Sequence, residues 1–103
     1  MSEVAKESWF FVCWAVSLIS AILAGYDMLF EREFAFGALV VAAIADFGAA
    51  FFNFAAASHV LIAAIAVTVA AITLKGKVKE LSFLFLGVYA TITVATVAWF
   101  LNS

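Results

Sequence analysis

Apolar residues run along the chain in four long blocks, parted by three short polar or small-residue breaks. Read at helical spacing, the blocks predict helices over about 8–30, 34–54, 58–74 and 81–101. A helix rises ~1.5 Å per residue, so each block has about the length that crosses ~30 Å of hydrocarbon, the third at the short end. Inside the blocks, small and polar residues fall on one face and bulky apolar residues on the other. In the second block Leu39, Ala42, Ala43, Asp46, Ala49, Ala50 and Asn53 share a stripe, opposite Val41, Ile44, Phe47, Phe51 and Phe54. The first block carries Cys13, Ser17, Ser20, Ala24 and Asp27 on one face, and the fourth Ser82, Leu86, Tyr89, Thr93 and Thr96. Such a division puts the small face against protein and the bulky face against lipid.

The breaks differ in strength. Glu31, Arg32 and Glu33 make a tight polar turn, and Lys75–Glu80 is a loop in which Gly76 is expected to end the third helix. Between the second and third blocks, NFAAASH has neither glycine nor proline. An unbroken helix from Phe34 to Leu74 would be about 60 Å long, twice the hydrocarbon thickness. A break is therefore expected, with Asn53 near the end of one helix and Ser58 as N-cap of the next. The expected fold is all-α: an integral membrane protein of four transmembrane helices in an up-down bundle, one domain with short loops.

Composition strengthens this reading. The 103 residues are 69% apolar and 12% charged, with no proline, against about 45–50% and about 25% in soluble domains. A water-soluble globule of this size lacks the polar residues to cover itself. The net charge of −2 and the lack of a basic patch exclude nucleic acid as a partner. A single cysteine, Cys13, permits neither an internal disulfide nor a cysteine metal cluster. The first apolar block exceeds a signal-peptide core and is read as retained.

Trp9, Trp14, Tyr26 and Trp99 lie near block ends, where amphipathic rings anchor at the membrane interfaces. Arg32, Lys75, Lys77 and Lys79 occupy the first and third breaks, while the other side has Lys6. By the positive-inside rule this basic loop material is cytoplasmic, and both termini are on the non-cytoplasmic side.

Candidate chemistry centres on Asp46, about twelve residues into the second block and near the bilayer midplane by ~1.5 Å per residue. A charge there costs about 2.5–3.5 kcal/mol on insertion scales. The carboxyl can be protonated and bond to hydroxyls, or it can meet a cation. Ser17 or Ser20, Thr68 and Thr93 come out at similar depth, so a polar layer around one acid is expected, and Asn53 lies on the same face of the second helix. No lysine or arginine reaches that depth. Asp46 is thus read either as a proton or cation site or, with more weight, as a hydrogen-bonding anchor or subunit contact. Asp27, close to Arg32 and the loop lysines, is read as a solvated interfacial charge. His59 is read as an interfacial hydrogen-bonding histidine, and Cys13 as a packing residue. No metal, no cofactor and no catalytic residues are expected: the chain has no Ser-His-Asp arrangement, no phosphate-cradling glycine loop and no dinucleotide fingerprint.

Two functions follow. The first is a non-catalytic accessory or structural subunit of a larger membrane complex, for example a respiratory or monooxygenase-type enzyme, in contact with lipid and with larger subunits. The second is a small homo-oligomeric transporter or channel using Asp46 as its proton or cation site.

Overall fold

The computed structural model describes residues 3–30, 34–53 and 57–102, with side chains from Glu7 onward in the first segment and from Ser58 in the third. It consists of four helices: α1 (Glu3–Leu29), α2 (Ala35–Phe52), α3 (Ala57–Lys75) and α4 (Lys79–Asn102). All four are long and apolar enough to cross a membrane. Away from the helix ends, their backbone polar groups are satisfied within each helix, as a spanning segment in hydrocarbon requires. The particle measures 42 Å along its longest axis, close to a bilayer including its headgroups, about 40–45 Å.

Short links make successive helices antiparallel neighbours. α1 packs on α2, α2 on α3 and α3 on α4, whereas α1 and α4 touch far more sparsely. The core is built from alanine. Ala21, Ala24, Ala42, Ala43, Ala63, Ala66, Ala70 and Ala71 are buried around Met28, Leu39, Val67 and Tyr89. Lipid tails are as apolar as leucine, so helices in a bilayer associate through close packing and hydrogen bonds rather than through burial alone. Alanine permits that close approach. The bulky residues point outward: Ile44 is 67% exposed and Phe51 80%, with Val41 and Phe47 also exposed on the same face of α2. Phe54, assigned to that face by sequence, lies outside the described residues.

A second cluster closes the end where α1 begins and α4 finishes. Phe10 is fully buried there with Ala49, Ala50 and Val60. Its ring lies 5.7 Å from both Trp14 and Phe100. Trp14 therefore packs inside an aromatic cluster, while Trp9 and Tyr26 stand exposed toward opposite ends of α1. Trp99 stacks on His59 at 5.9 Å.

Three helix ends differ from the sequence expectation. α1 begins more than a turn before residue 8, because no breaker interrupts its polar lead and Ala, Lys and Glu all favour helix. α3 begins at Ala57, so Ser58 sits in the first turn and is not the N-cap; Ala57, a strong helix former, carries the helix one residue further back. α2 does end at Asn53, which is extended at φ −146° and ψ 99°.

The third difference is at the end of α3. The Lys77 N–H donates to the Leu74 carbonyl at 3.0 Å, and the Val78 N–H to the Thr73 carbonyl at 2.9 Å. This pair of bonds is a Schellman motif, whose left-handed residue comes just before the final donor. That residue is Lys77, at φ 64°; Gly76 is not the left-handed terminator. The register is set by where α3 stops, and it falls one residue past the glycine. A left-handed residue with a side chain costs about 1–2 kcal/mol, and glycine gives part of that back in chain entropy. Lys77→Gly is therefore expected to stabilise the bundle by about 0.5–1 kcal/mol in detergent unfolding. Gly76→Ala is expected to be neutral, because an added Cβ meets nothing nearer than the Ile72 carbonyl at 3.6 Å. The reverse order would restore Gly76 as the terminator.

Candidate functional site

Polar groups enter the bundle interior at two levels. The first lies at the end where α1 leaves and α2 begins. Asp27 is 0% exposed, and its Oδ2 accepts the Ala35 N–H at 2.6 Å. α2 has no side-chain cap of its own at Phe34, so a carboxylate from α1 satisfies one of the four orphan donors that begin every helix, and faces the positive end of its dipole. Asp27 is a buried capping group and not a solvated charge. The sequence reading assigned it to solvent because basic residues lie close by in the chain; the fold turns its side chain inward instead. Nearby, the Ser82 hydroxyl donates to the Ala70 carbonyl at 2.8 Å and lies 3.9 Å from the Met28 sulfur, joining α4 to α3 and α1. Lys75, Lys77 and Lys79 follow on the same side of the bundle, with the Lys75 Nζ 5.6 Å from the centre of the Phe36 ring.

The second level surrounds Asp46. α2 presents it on its alanine face between Ala42, Ala43, Ala49 and Ala50, all buried. α1 contributes Ser17 and α4 contributes Tyr89, with Thr93 one turn beyond; all are buried. The Ser17 Oγ is 2.9 Å from the Ala42 carbonyl oxygen and 2.8 Å from the Tyr89 hydroxyl. A serine has one proton to give. Ser17 donates it to the carbonyl, so Tyr89 donates to Ser17, and one directed chain runs from α4 through α1 to the backbone of α2.

That chain leaves Asp46 out. Ser17 stands next to the carboxyl and interacts with it without meeting hydrogen-bond geometry, and Tyr89 lies within range of its charge. Both of those hydroxyl protons are already committed. Asp46 is 0% exposed, and neither of its carboxylate oxygens has a hydrogen-bond partner among the described residues. The Thr93 Oγ1 beside it in the layer is likewise buried without a partner that meets hydrogen-bond geometry. Buried polar atoms in proteins are almost always paired. An acid, a hydroxyl and a tyrosine arranged so that the acid has none is an unfilled acceptor site.

The other residues singled out by sequence lie elsewhere. The Thr68 hydroxyl donates to the Ala64 carbonyl at 2.7 Å on its own helix, so it serves α3 rather than the acid. Ser20 and Asn53 are half-buried at the margins of their stripes. Cys13 is half-buried against α2, where a Cβ added to Gly48 would sit 3.7 Å from its sulfur. No group of three or more His, Cys, Asp or Glu side chains that could hold a metal occurs among the described residues. Tyr89 is the member of this polar layer that the sequence pattern alone does not single out. Its signal was its place on the polar stripe of the fourth block, midway between Ser82 and Thr96.

The chain matches no protein-family model, no curated protein and no solved structure.

Proposed function

We propose that this is a small ion-handling membrane protein, a transporter or channel, in which Asp46 takes up and releases a proton or a cation. One observation carries the reading: an acid wholly buried in a membrane bundle with both oxygens unpartnered. A structural anchor would have its bonds made. A contact to another subunit would face outward, whereas Asp46 faces its own bundle. Intramembrane acids that line a bundle interior mark ion or proton pathways, and the Tyr89–Ser17 chain beside Asp46 supplies hydroxyls that can reorient when the acid changes charge. In this reading the protein works as an assembly of identical copies. The Arg32 and lysine-bearing loops are cytoplasmic and the termini are on the opposite side.

The test is flux. Purified protein in liposomes, driven by an imposed pH gradient or membrane potential, is expected to move protons or alkali cations. Asp46→Asn, nearly the same size, is expected to reduce the flux at least about a hundredfold, as loss of the coupling charge would. Unchanged flux in Asp46→Asn ends the proposal.

A second reading, the accessory subunit of a larger membrane complex, draws on the outer face of α4. There Phe83, Leu84, Gly87, Val88, Thr91 and Ile92 line a shallow groove of about 490 Å³. A Cβ added at Gly87 would meet nothing within 4 Å, which leaves room for the close backbone approach of another transmembrane helix. Larger subunits co-migrating in fixed proportion from mild detergent would favour it.

A further inference from the structure

The helices around Asp46 are unbroken. α1, α2 and α4 each run as one α-helix through the level of Ser17, Asp46 and Tyr89. Their backbone carbonyls there are spent on the next turn. Membrane sites for metal cations are commonly built from unwound backbone, whose freed carbonyls replace the hydration shell of the ion. No unwound turn interrupts a helix beside Asp46 among the described residues. α3 adds no free hydroxyl: its buried side chains are all alanine or valine, and Thr68 is bonded to its own helix. What remains is the carboxyl itself and the hydroxyls of Ser17, Thr93 and Tyr89, of which Ser17 and Tyr89 are bonded to each other. Ala42 and Ala49, buried as deeply as the acid, close the space around it. A metal ion needs room and a shell of oxygens. A proton needs one lone pair and no room.

The hydroxyl chain points the same way. An ionised carboxylate only accepts hydrogen bonds, whereas a protonated one can do without a donor. In the order Tyr89 to Ser17 to the Ala42 carbonyl, both protons turn away from the acid. That carbonyl also takes the Asp46 N–H as part of α2. Ser17 and Asp46 thus share one acceptor, which fixes Ser17 beside the acid by geometry. The carbonyl stays bonded when Ser17 lets go, and Tyr89 can donate to Ser17 throughout. We propose that the ion carried by Asp46 is a proton and not a metal cation, and that Ser17 is the positioning residue that holds the carboxylate once the proton has left. In that step an Asp46 O–H bond breaks, the electron pair stays on the oxygen, and the Ser17 hydroxyl swings from the Ala42 carbonyl to the carboxylate. The other titratable groups stand apart. Cys13 lies one turn along α1 against Gly48, and His59 is stacked on Trp99 beyond it. Asp27 caps Ala35, ~16 Å down α2 at ~1.5 Å per residue, with the loop lysines on its side. The assignment rests on Asp46 being an ion site, and it names the ion.

The test measures protons and alkali cations side by side. Liposomes holding the protein are given a membrane potential; proton entry is followed with an internal pH dye, and radiolabelled sodium and rubidium are followed in parallel. Infrared spectra of the same protein in lipid record the carbonyl band of a protonated carboxyl. Wild type is expected to move protons at one rate in sodium, potassium or choline salts, and to leave both labelled cations outside. Its carboxyl band is expected to vanish as pH is raised, to be unmoved by sodium or potassium, and to be missing in Asp46→Asn. Ser17→Ala is expected to slow proton flux at least about tenfold, the worth of a hydrogen bond to a charged group, with its helical content unchanged. Ser17→Thr, which restores a hydroxyl, is expected to recover most of the rate. Sodium or rubidium entry that requires Asp46, or displacement of the band by either salt, overturns the proton assignment; the ion-handling function then stands. Ser17→Ala as fast as wild type overturns the role given to Ser17. If Asp46→Asn changes neither proton nor alkali-cation flux, both readings fall.

Discussion

Replacing Asp46 with alanine is expected to make the bundle harder to unfold. An unpaired buried polar group costs about 1–3 kcal/mol, and a charged one near the bilayer centre about 2.5–3.5 kcal/mol on insertion scales. Alanine removes that cost and leaves a gap the size of a carboxyl among alanines that already pack closely. The net gain is expected to be about 1–3 kcal/mol in an SDS unfolding curve followed by far-ultraviolet circular dichroism. Together with lost ion movement, this would be a stability–activity trade-off of the kind active sites show. A destabilised Asp46→Ala would mean the acid makes bonds that hold the bundle, and Asp46 would become an anchor after all.

The second buried acid is expected to behave in the opposite way. Asp27 accepts the Ala35 N–H at 2.6 Å, and hydrogen bonds involving a charged group are worth about 1.5–3 kcal/mol. Asp27→Ala removes the acceptor, leaves the first amide of α2 unpaired in a buried site, and takes a negative charge from a helix N-terminus. A loss of about 2–3 kcal/mol is expected in the same unfolding assay. Asp27→Asn keeps an oxygen in place and is expected to lose about 1 kcal/mol. Equal, small losses in both variants would show that Asp27 does not cap α2. Two aspartates, both fully buried, thus carry opposite signs because Asp27 bonds through Oδ2, with only its Oδ1 unpartnered, whereas neither oxygen of Asp46 has a partner.

That contrast marks how far the sequence could be read. Helix number, the membrane class and the inward stripes of α2 and α4 follow from periodicity, because burial against alanine and exposure to lipid select different residues at every turn. Depth counting set Ser17 and Thr93 level with Asp46, since it needs only the rise per residue. What it could not supply is which way a hydroxyl points. Thr68 has the right depth and bonds back to its own helix, while Tyr89 reaches across the seam because its ring is long enough to meet Ser17. The partner of Asp27 was hidden for another reason. It is a backbone amide, and a backbone amide has no letter in the sequence. The end of α3 shows the same limit, where the Schellman register placed a lysine in the left-handed position one residue past the available glycine.

The Asp27–Ala35 bond joins residues eight apart in the chain, whereas Ser17 and Tyr89 are separated by 72. During synthesis the first pair can form as soon as α2 emerges, so α1 and α2 can enter the membrane as one pre-tied hairpin. The directed hydroxyl chain beside Asp46 has to wait for α4. Until that last helix docks, the acid has no tyrosine beside it. On the proposed function, ion handling is expected to arrive only with the final helix, and a chain truncated after α3 is expected to insert but to move no ions.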